Sequence, residues 1–260
     1  SNIDLNLIAN HFFKINHIDN NIIKTELDDF NYNKINGFDH LLWINLERST
    51  DRKSYMESLL KDNNINDTMS TRISAIDGKL FNFNFKLEEY ITPCEIATTL
   101  SHIKVINFCK KLPGNYFFVC EDDISVNNTV LFNYDIKYII DNAPKFDILI
   151  LSKILNNHIL TNTYTEWGGH VYSTSCYIIS REGVDKITEF AQYDENLGFS
   201  ISKNLNVADK FIYQYVNTFV FKYNYISTLD TDSMIHPDHL DLHKSSSRMQ
   251  INQIILDLQI

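Results

Sequence analysis

The run Tyr116-Phe117-Phe118-Val119-Cys120 carries no charged residue, with Pro113-Gly114 before it and Glu121-Asp122-Asp123 after it. Five residues is a strand's length, and successive strand side chains point to opposite faces. A strand that is apolar at every position has to be covered on both faces, which predicts an α/β sheet with helices above and below it. Phe146-Asp147-Ile148-Leu149-Ile150-Leu151 reads as a second buried strand, and Leu41-Leu42-Trp43-Ile44-Asn45-Leu46 is a further apolar run of strand length.

The intervening segments carry helix signals. Asp51 reads as an N-cap, and Tyr55, Met56, Leu59 and Leu60 recur at helical spacing until Asn63-Asn64 ends the pattern. Thr71–Ile76 is then a short strand closed by Asp77-Gly78. Thr92-Pro93-Cys94-Glu95 sets a Thr at N-cap, a Pro at the first helical position and a Glu at the third, a capping box. The helix it opens runs through Ile96, Leu100, Ile103, Val105 and Ile106 towards Leu112. Another helical stretch lies around Leu131–Ile140; Val171–Ser180 alternates as a strand, and Ser180 caps a helix over Arg181–Phe190. Asp209–Tyr215 is a short helix and Phe219–Tyr225 a further strand. Strand, helix, strand at the start of the domain predicts a mostly parallel central sheet.

The chain is 260 residues long, 44% hydrophobic and 22% charged, enough to bury a sizeable core. Residues 1–37, rich in Asn, Ile and Asp, read as an extension packed on the domain, with a short amphipathic helix over Leu5–Phe13; residues 38–260 read as one domain. The balance of 23 Lys+Arg against 33 Asp+Glu gives −10, which lacks the footprint of a general nucleic-acid or anionic-membrane binder. Cys94, Cys109, Cys120 and Cys176 stand far apart with no C-x-x-C pair, against a zinc site and fitting a reducing compartment. No signal peptide or membrane span is visible, so the expectation is a soluble, intracellular, cytoplasmic protein.

The acidic triplet Glu121-Asp122-Asp123 is the feature that points to chemistry. Ligands of open α/β sheets gather at the carboxyl ends of strands. Three carboxylates there repel one another unless a cation sits among them, and oxygen donors suit Mg²⁺ or Mn²⁺. Strand alternation would place Glu121 and Asp123 on one side and Asp122 on the other. Such an ion could neutralise a diphosphate leaving group; the plain alternative is a solvated acidic turn.

Four segments in order, Ile44–Arg52, Ala75–Gly78, Ile91–His102 and Val119–Ile124, resemble glycosyltransferase family 25, the lipooligosaccharide and collagen galactosyltransferases. Ile44-Asn45-Leu46-Glu47-Arg48-Ser49-Thr50-Asp51-Arg52 is similar to its I-N-L-[DE]-R-x-x-D-R, and Ala75-Ile76-Asp77-Gly78 to its A-x-D-G. Ile91–Ile96 with Leu100-Ser101-His102 resembles its L-T-x-G-E-x-G-C-x-L-S-H, and Val119–Ile124 its L-E-D-D-[IV]. Fainter echoes follow at Tyr177–Gly183 and Val207–Phe211, so the resemblance spans about residues 39–235. Cys94 departs from the family's Gly, and Ala97-Thr98 from its Gly-Cys pair. The abundance of Asn and Ile suits an AT-rich genome, such as that of a giant virus.

The resemblance implies a GT-A-type, Rossmann-like nucleotide-sugar-binding domain that inverts the anomeric centre using Mn²⁺ or Mg²⁺. The donor would be a UDP-sugar carrying galactose or glucose, and the acceptor a hydroxyl of a glycan or of hydroxylysine. It makes Asp123 the first metal ligand, with Glu121 a further one and His236, or else His239, from the tail. Glu121 and Asp122 would touch the ribose or the donor sugar. Asn45, Leu46, Arg48, Arg52, Asp77, Gly78, Ser101 and His102 would surround the nucleotide. Asp209 is the expected catalytic carboxylate together with Asp122, with Asp230 and Asp232 as rivals for the base. Trp43 reads as core, and Trp167 as a ring to stack on a sugar. Two other classes stay open. A nucleotidyltransferase or phosphodiesterase would want a second acidic cluster or a Gly-rich phosphate loop, which the chain lacks; an inactive carbohydrate-binding or scaffold module could keep the fold without the reaction.

Overall fold

The computed structural model describes residues 34–80, 91–155, 160–229, 249–254 and 256–257. Strand β1 (His40–Asn45) leads through helix α1 (Thr50–Asp62) to β2 (Ser70–Ser74), and the long helix α2 (Pro93–Lys111) delivers the chain to β3 (Tyr116–Glu121). Then come β4 (Ile124–Ser125), a 3-10 turn at Asn127–Leu131, helix α3 (Ile136–Asn142), β5 (Ile148–Ile150), β6 (Ile154–Leu155), β7 (Tyr164–Glu166), β8 (Val171–Tyr172) and β9 (Cys176–Ser180). Helix α4 (Arg181–Phe190), the hairpin of β10 (Ala191–Asp194) and β11 (Gly198–Ile201), helix α5 (Ala208–Tyr213), β12 (Thr218–Phe221) and β13 (Ser227–Thr228) complete the order, and residues 249–254 are helical.

Seven strands form the central sheet in the order β2-β1-β3-β9-β5-β12-β7. Five of them run the same way, and β9 and β7 are reversed. The strand alternation divides the core as the sequence predicts. Leu42, Ile44, Phe117, Val119, Ile148, Ile150, Tyr177 and Ile179 pack on one face with α2, α4 and α5. Leu41, Trp43, Phe118, Cys120, Leu149, Cys176 and Ile178 pack on the other with α1 and α3. The architecture is thus three-layered and Rossmann-like. Ile35 is buried in the second cluster, so packing against the domain begins before residue 38; the helix expected over Leu5–Phe13 lies outside the described residues.

Helix α2 begins as its sequence dictates. The Thr92 hydroxyl accepts from the Glu95 amide, and the Glu95 carboxylate accepts from the Thr92 amide. Buried residues then occur on every side of the helix, from Ile96 and Leu100 to Ser101, His102 and Cys109, because the sheet, α4 and α5 enclose it.

Four expectations shift. Helix α1 starts at Thr50 after Ser49, and Asp51 lies in its first turn, where a carboxylate favours the amide-rich end without capping it. The helical stretch near 131–140 resolves into a 3-10 turn and α3, because Asp135 caps the Tyr138 amide and starts the helix there. The run 171–180 breaks into β8 and β9 at Ser173, whose φ of 99° no strand can hold. The hairpin β10–β11 occupies a stretch that the sequence leaves without an element. All four cysteines are free, and no helix among the described residues is long and apolar enough to cross a membrane.

Candidate active site

From β1 the chain passes to β2 on one side and then returns by α2 to β3 on the other, so the sheet order reverses between β1 and β3. Loops leaving the carboxyl ends of these strands splay apart there, and a crevice opens between them. It measures about 720 Å³ counted to its open mouth. Eleven residues read from the sequence as site candidates line it: Asn45, Leu46, Arg48, Arg52, Asp77, Gly78, Ser101, His102, Glu121, Asp122 and Asp123.

Asp122 holds the floor together. Its Oδ2 accepts from the Asn45 amide nitrogen at 2.6 Å, and its Oδ1 accepts from Arg52 at 2.9 Å. Asn45 also accepts from Arg72 Nε at 2.9 Å and donates to the Ser49 carbonyl at 3.2 Å. Both Asp122 oxygens are therefore engaged in tying β1, α1 and β3 together, and Asp122 has a scaffolding part at the cleft it was expected to serve. Strand alternation does not carry through the triplet, since β3 ends at Glu121. In the turn that follows, Asp122 and Asp123 both face Arg52, which reaches Asp123 Oδ2 at 3.3 Å.

Glu121 turns the other way. Its Oε1 accepts from the Thr174 hydroxyl at 3.0 Å and lies 3.4 Å from His102 Nε2, while no bond engages its Oε2 among the described residues. Burial opposes its charge, but the hydrogen bond and charge of His102, the Thr174 hydroxyl and Arg52 together hold the carboxyl below the ordinary range. His102 itself is fully buried, with the Tyr177 hydroxyl 3.1 Å from Nδ1. It is a satisfied core histidine whose edge reaches the cleft.

Asp123 differs from its neighbours. Its Oδ1 is buried without a hydrogen-bond partner among the described residues. Burial first, and the nearby charges of Glu121 and Asp122 with it, push its carboxyl up to about 7 against the pull of Arg52. A buried carboxylate oxygen left unpaired is costly, and a bound divalent cation would remove that cost. The described residues hold no group of three or more metal-ligating side chains. The unpaired oxygen of Asp123 is a hard donor of the kind that Mg²⁺ or Mn²⁺ would take. His236 and His239 lie outside the described residues.

The opposite wall comes from the loop after β2 and the first turns of α2. Ser101 Oγ accepts from the Ile76 amide at 2.8 Å and donates to the Ala97 carbonyl at 2.7 Å, so this buried serine fixes the loop. Arg48 pairs with Asp77 at 2.5 Å across the rim. At Gly78 an added Cβ would lie 2.7 Å from Cys94 Cα and 2.8 Å from the Pro93 carbonyl oxygen; the glycine is there because the loop lies directly on the start of α2. Cys94, Ala97 and Thr98, the positions that depart from the family pattern, line the same wall.

Two candidates stand apart from the lining. Asp209, in the first turn of α5, accepts from the Ser173 amide at 3.3 Å and from the Lys210 amide at 2.7 Å. Trp167 donates from its indole to the Val171 carbonyl at 2.8 Å and meets Tyr213 edge-on, closing its own Gly168-Gly169 turn. Trp43 is core, as expected. Asp230 and Asp232 lie outside the described residues. Thr174, which grips Glu121, went unread in the sequence because nothing local marks a contact 53 residues away.

Comparison with known proteins adds a family. The model of Glycosyltransferase family 25 (LPS biosynthesis protein) matches residues 38–215. A comparison with curated proteins finds no match. Among solved structures, the inositol-1-phosphate CTP transferase from T. maritima is 9% identical with a TM-score of 0.37, covering 82% of this chain and 98% of its own. A putative UDP-N-acetylglucosamine pyrophosphorylase from Entamoeba histolytica is 11% identical with a TM-score of 0.31, covering 70% of this chain and 58% of its own. At those scores neither likeness bears on the reaction.

Proposed function

The chain belongs to glycosyltransferase family 25, and from that premise we propose that it moves galactose or glucose from a UDP-sugar to a hydroxyl of a glycan or a hydroxylysine. We read the fold as the GT-A type and the reaction as an inverting, in-line displacement that uses Mn²⁺ or Mg²⁺. The observation that carries the reading is the buried Asp123 oxygen, unpaired among the described residues, at the floor of the cleft between the reversing strands β1 and β3.

Asp123 would hold the cation, which when bound offsets charge growing on the departing diphosphate. Arg52 keeps Asp122 and Asp123 side by side and limits their repulsion. Glu121 keeps Oε2 for a hydroxyl of the donor, ribose or sugar, while His102 and Thr174 fix its other oxygen. Asp77 and Arg48 at the rim meet the nucleoside, with the Gly78 backbone against it. The acceptor's proton needs a carboxylate to receive it; Asp209 does not line the cleft.

The test is a donor panel. UDP should raise the melting temperature only when Mn²⁺ is present, and Asp123→Ala should remove that shift. Slow release of UDP from one UDP-sugar without acceptor is expected for an active transferase. No release across the panel would instead favour an inert carbohydrate-binding module.

A further inference from the structure

Between β8 and β9 lies a three-residue strap, Ser173-Thr174-Ser175, and among the described residues its hydrogen bonds to the cleft go to Glu121. The Glu121 amide donates to the Ser175 carbonyl at 2.9 Å, and the Thr174 hydroxyl donates to Glu121 Oε1 at 3.0 Å. The strap begins in strain, since Ser173 holds a φ of 99°, a left-handed conformation that side-chain-bearing residues avoid at a cost. Such a conformation persists only where its surroundings enforce it.

Those surroundings can be named. The Ser173 amide donates to Asp209 Oδ2 at 3.3 Å, and the Ser173 carbonyl accepts from the Tyr213 hydroxyl at 2.8 Å, so α5 clamps both sides of the strained residue. The Ser173 and Ser175 hydroxyls lie 2.8 Å apart, and Ser175 donates to Ser152 Oγ at 2.9 Å. Thr174 and Ser175 are both buried. Asp209 is thus joined to Glu121 through one loop, and it is not among the residues that line the cleft.

We propose that Asp209 is a positioning residue: by holding Ser173 in its strained conformation it presents Thr174 to Glu121, and so orients the Glu121 oxygen left for a donor hydroxyl. This rests on the reading of Glu121 as a donor-binding group. It assigns Asp209 no proton transfer, and it separates the carboxylate's two abilities. An asparagine retains an oxygen for the Ser173 amide but cannot serve as a base. A glycine at 173 adopts the left-handed conformation without the clamp.

The experiment compares Asp209→Ala, Asp209→Asn, Ser173→Gly and Asp209→Ala with Ser173→Gly, each in the full chain. Two readouts are taken: hydrogen exchange of the peptide spanning the strap, and the KM and kcat of Mn²⁺-dependent UDP release from the preferred UDP-sugar. Asp209→Ala should speed exchange of the strap and raise KM about tenfold with little change in kcat. Asp209→Asn should lose less than that, and adding Ser173→Gly to Asp209→Ala should restore both readouts most of the way. Ser173→Gly alone gives up the hydroxyl that meets Ser175 along with the strain, and it sets the baseline for the rescue, which keeps the comparison informative if Asp209→Ala folds poorly. A kcat loss of about a thousandfold shared by Asp209→Ala and Asp209→Asn, with exchange unchanged and no rescue by glycine, would make Asp209 the base and overturn the proposal. Exchange needs no substrate, so if no UDP-sugar is turned over, the strap's dependence on Asp209 is still decided.

Discussion

The Asn45 amide nitrogen stands 2.6 Å from Asp122 Oδ2, joining the carboxyl ends of β1 and β3 across the point where the sheet order reverses. The contact is buried, and the other Asp122 oxygen is already taken by Arg52. Asp122 therefore needs two acceptors that face two donors.

Asp122→Asn should be far from neutral although it changes no volume. Its amide nitrogen would have to confront either Asn45 or Arg52, both donors. The expected loss is about 2 kcal/mol of stability, read as a lower urea midpoint with an unchanged slope. Retained stability would mean that the pin between the strands is not needed.

Asp123→Asn should act in the opposite sense on the metal-free protein. It removes a charge whose Oδ1 has no partner among the described residues, against the loss of the 3.3 Å pair of Oδ2 with Arg52, and a gain of about 1 kcal/mol is expected. The same variant should lose the Mn²⁺-dependent stabilisation by UDP. A variant that is both less stable and still responsive to Mn²⁺ would argue that the carboxylate serves the fold.

Gly78→Ala should pull the cleft wall off α2. The new Cβ would meet the Cys94 backbone at 2.7 Å, which neither side can easily yield. A loss of about 1–3 kcal/mol is expected, with weaker UDP binding because Asp77 moves with the loop. Calorimetric titration of UDP at saturating Mn²⁺ checks it.

Lys153 supplies a pH prediction remote from the cleft. Its amine is buried, donates to the Phe221 carbonyl at 2.9 Å and to Asn224 Oδ1 at 3.3 Å, and is pushed well below the ordinary lysine range by burial alone. Between that lowered value and the ordinary one, the unfolded chain carries a proton that the folded protein does not. Stability should then rise with pH, by up to about 1.4 kcal/mol per unit for one proton, and level off once the unfolded lysine also loses its charge. In Lys153→Met this alkaline rise should be missing from denaturation curves taken from pH 7 to 10.

What could be read from the chain alone was whatever depends on near neighbours. The capping box at Thr92, the cap at Ser180 and the alternation of β3 are local, and each is in place. Of the eleven cleft residues, the acidic triplet was legible from its place at a strand's carboxyl end, and the others through the motifs that resemble the family. The division of labour within the acidic triplet was not, because β3 stops at Glu121 and partners at Asn45, Arg52 and Thr174 decide which carboxylate is spent. Asp209 and Trp167 were misplaced relative to the cleft for the same reason: their partners, Ser173 and Val171, lie at a break in a run that reads as one strand.

Helix α2 is enclosed on all sides, yet its opening turns form one wall of the cleft. That wall cannot breathe without disturbing the interior. Any change of substrate preference arising at Cys94, Ala97 or Thr98 must therefore come from exchanging one side chain for another on a fixed mould, and a preference acquired this way would be rigid, selecting by shape what a hinged wall would accommodate.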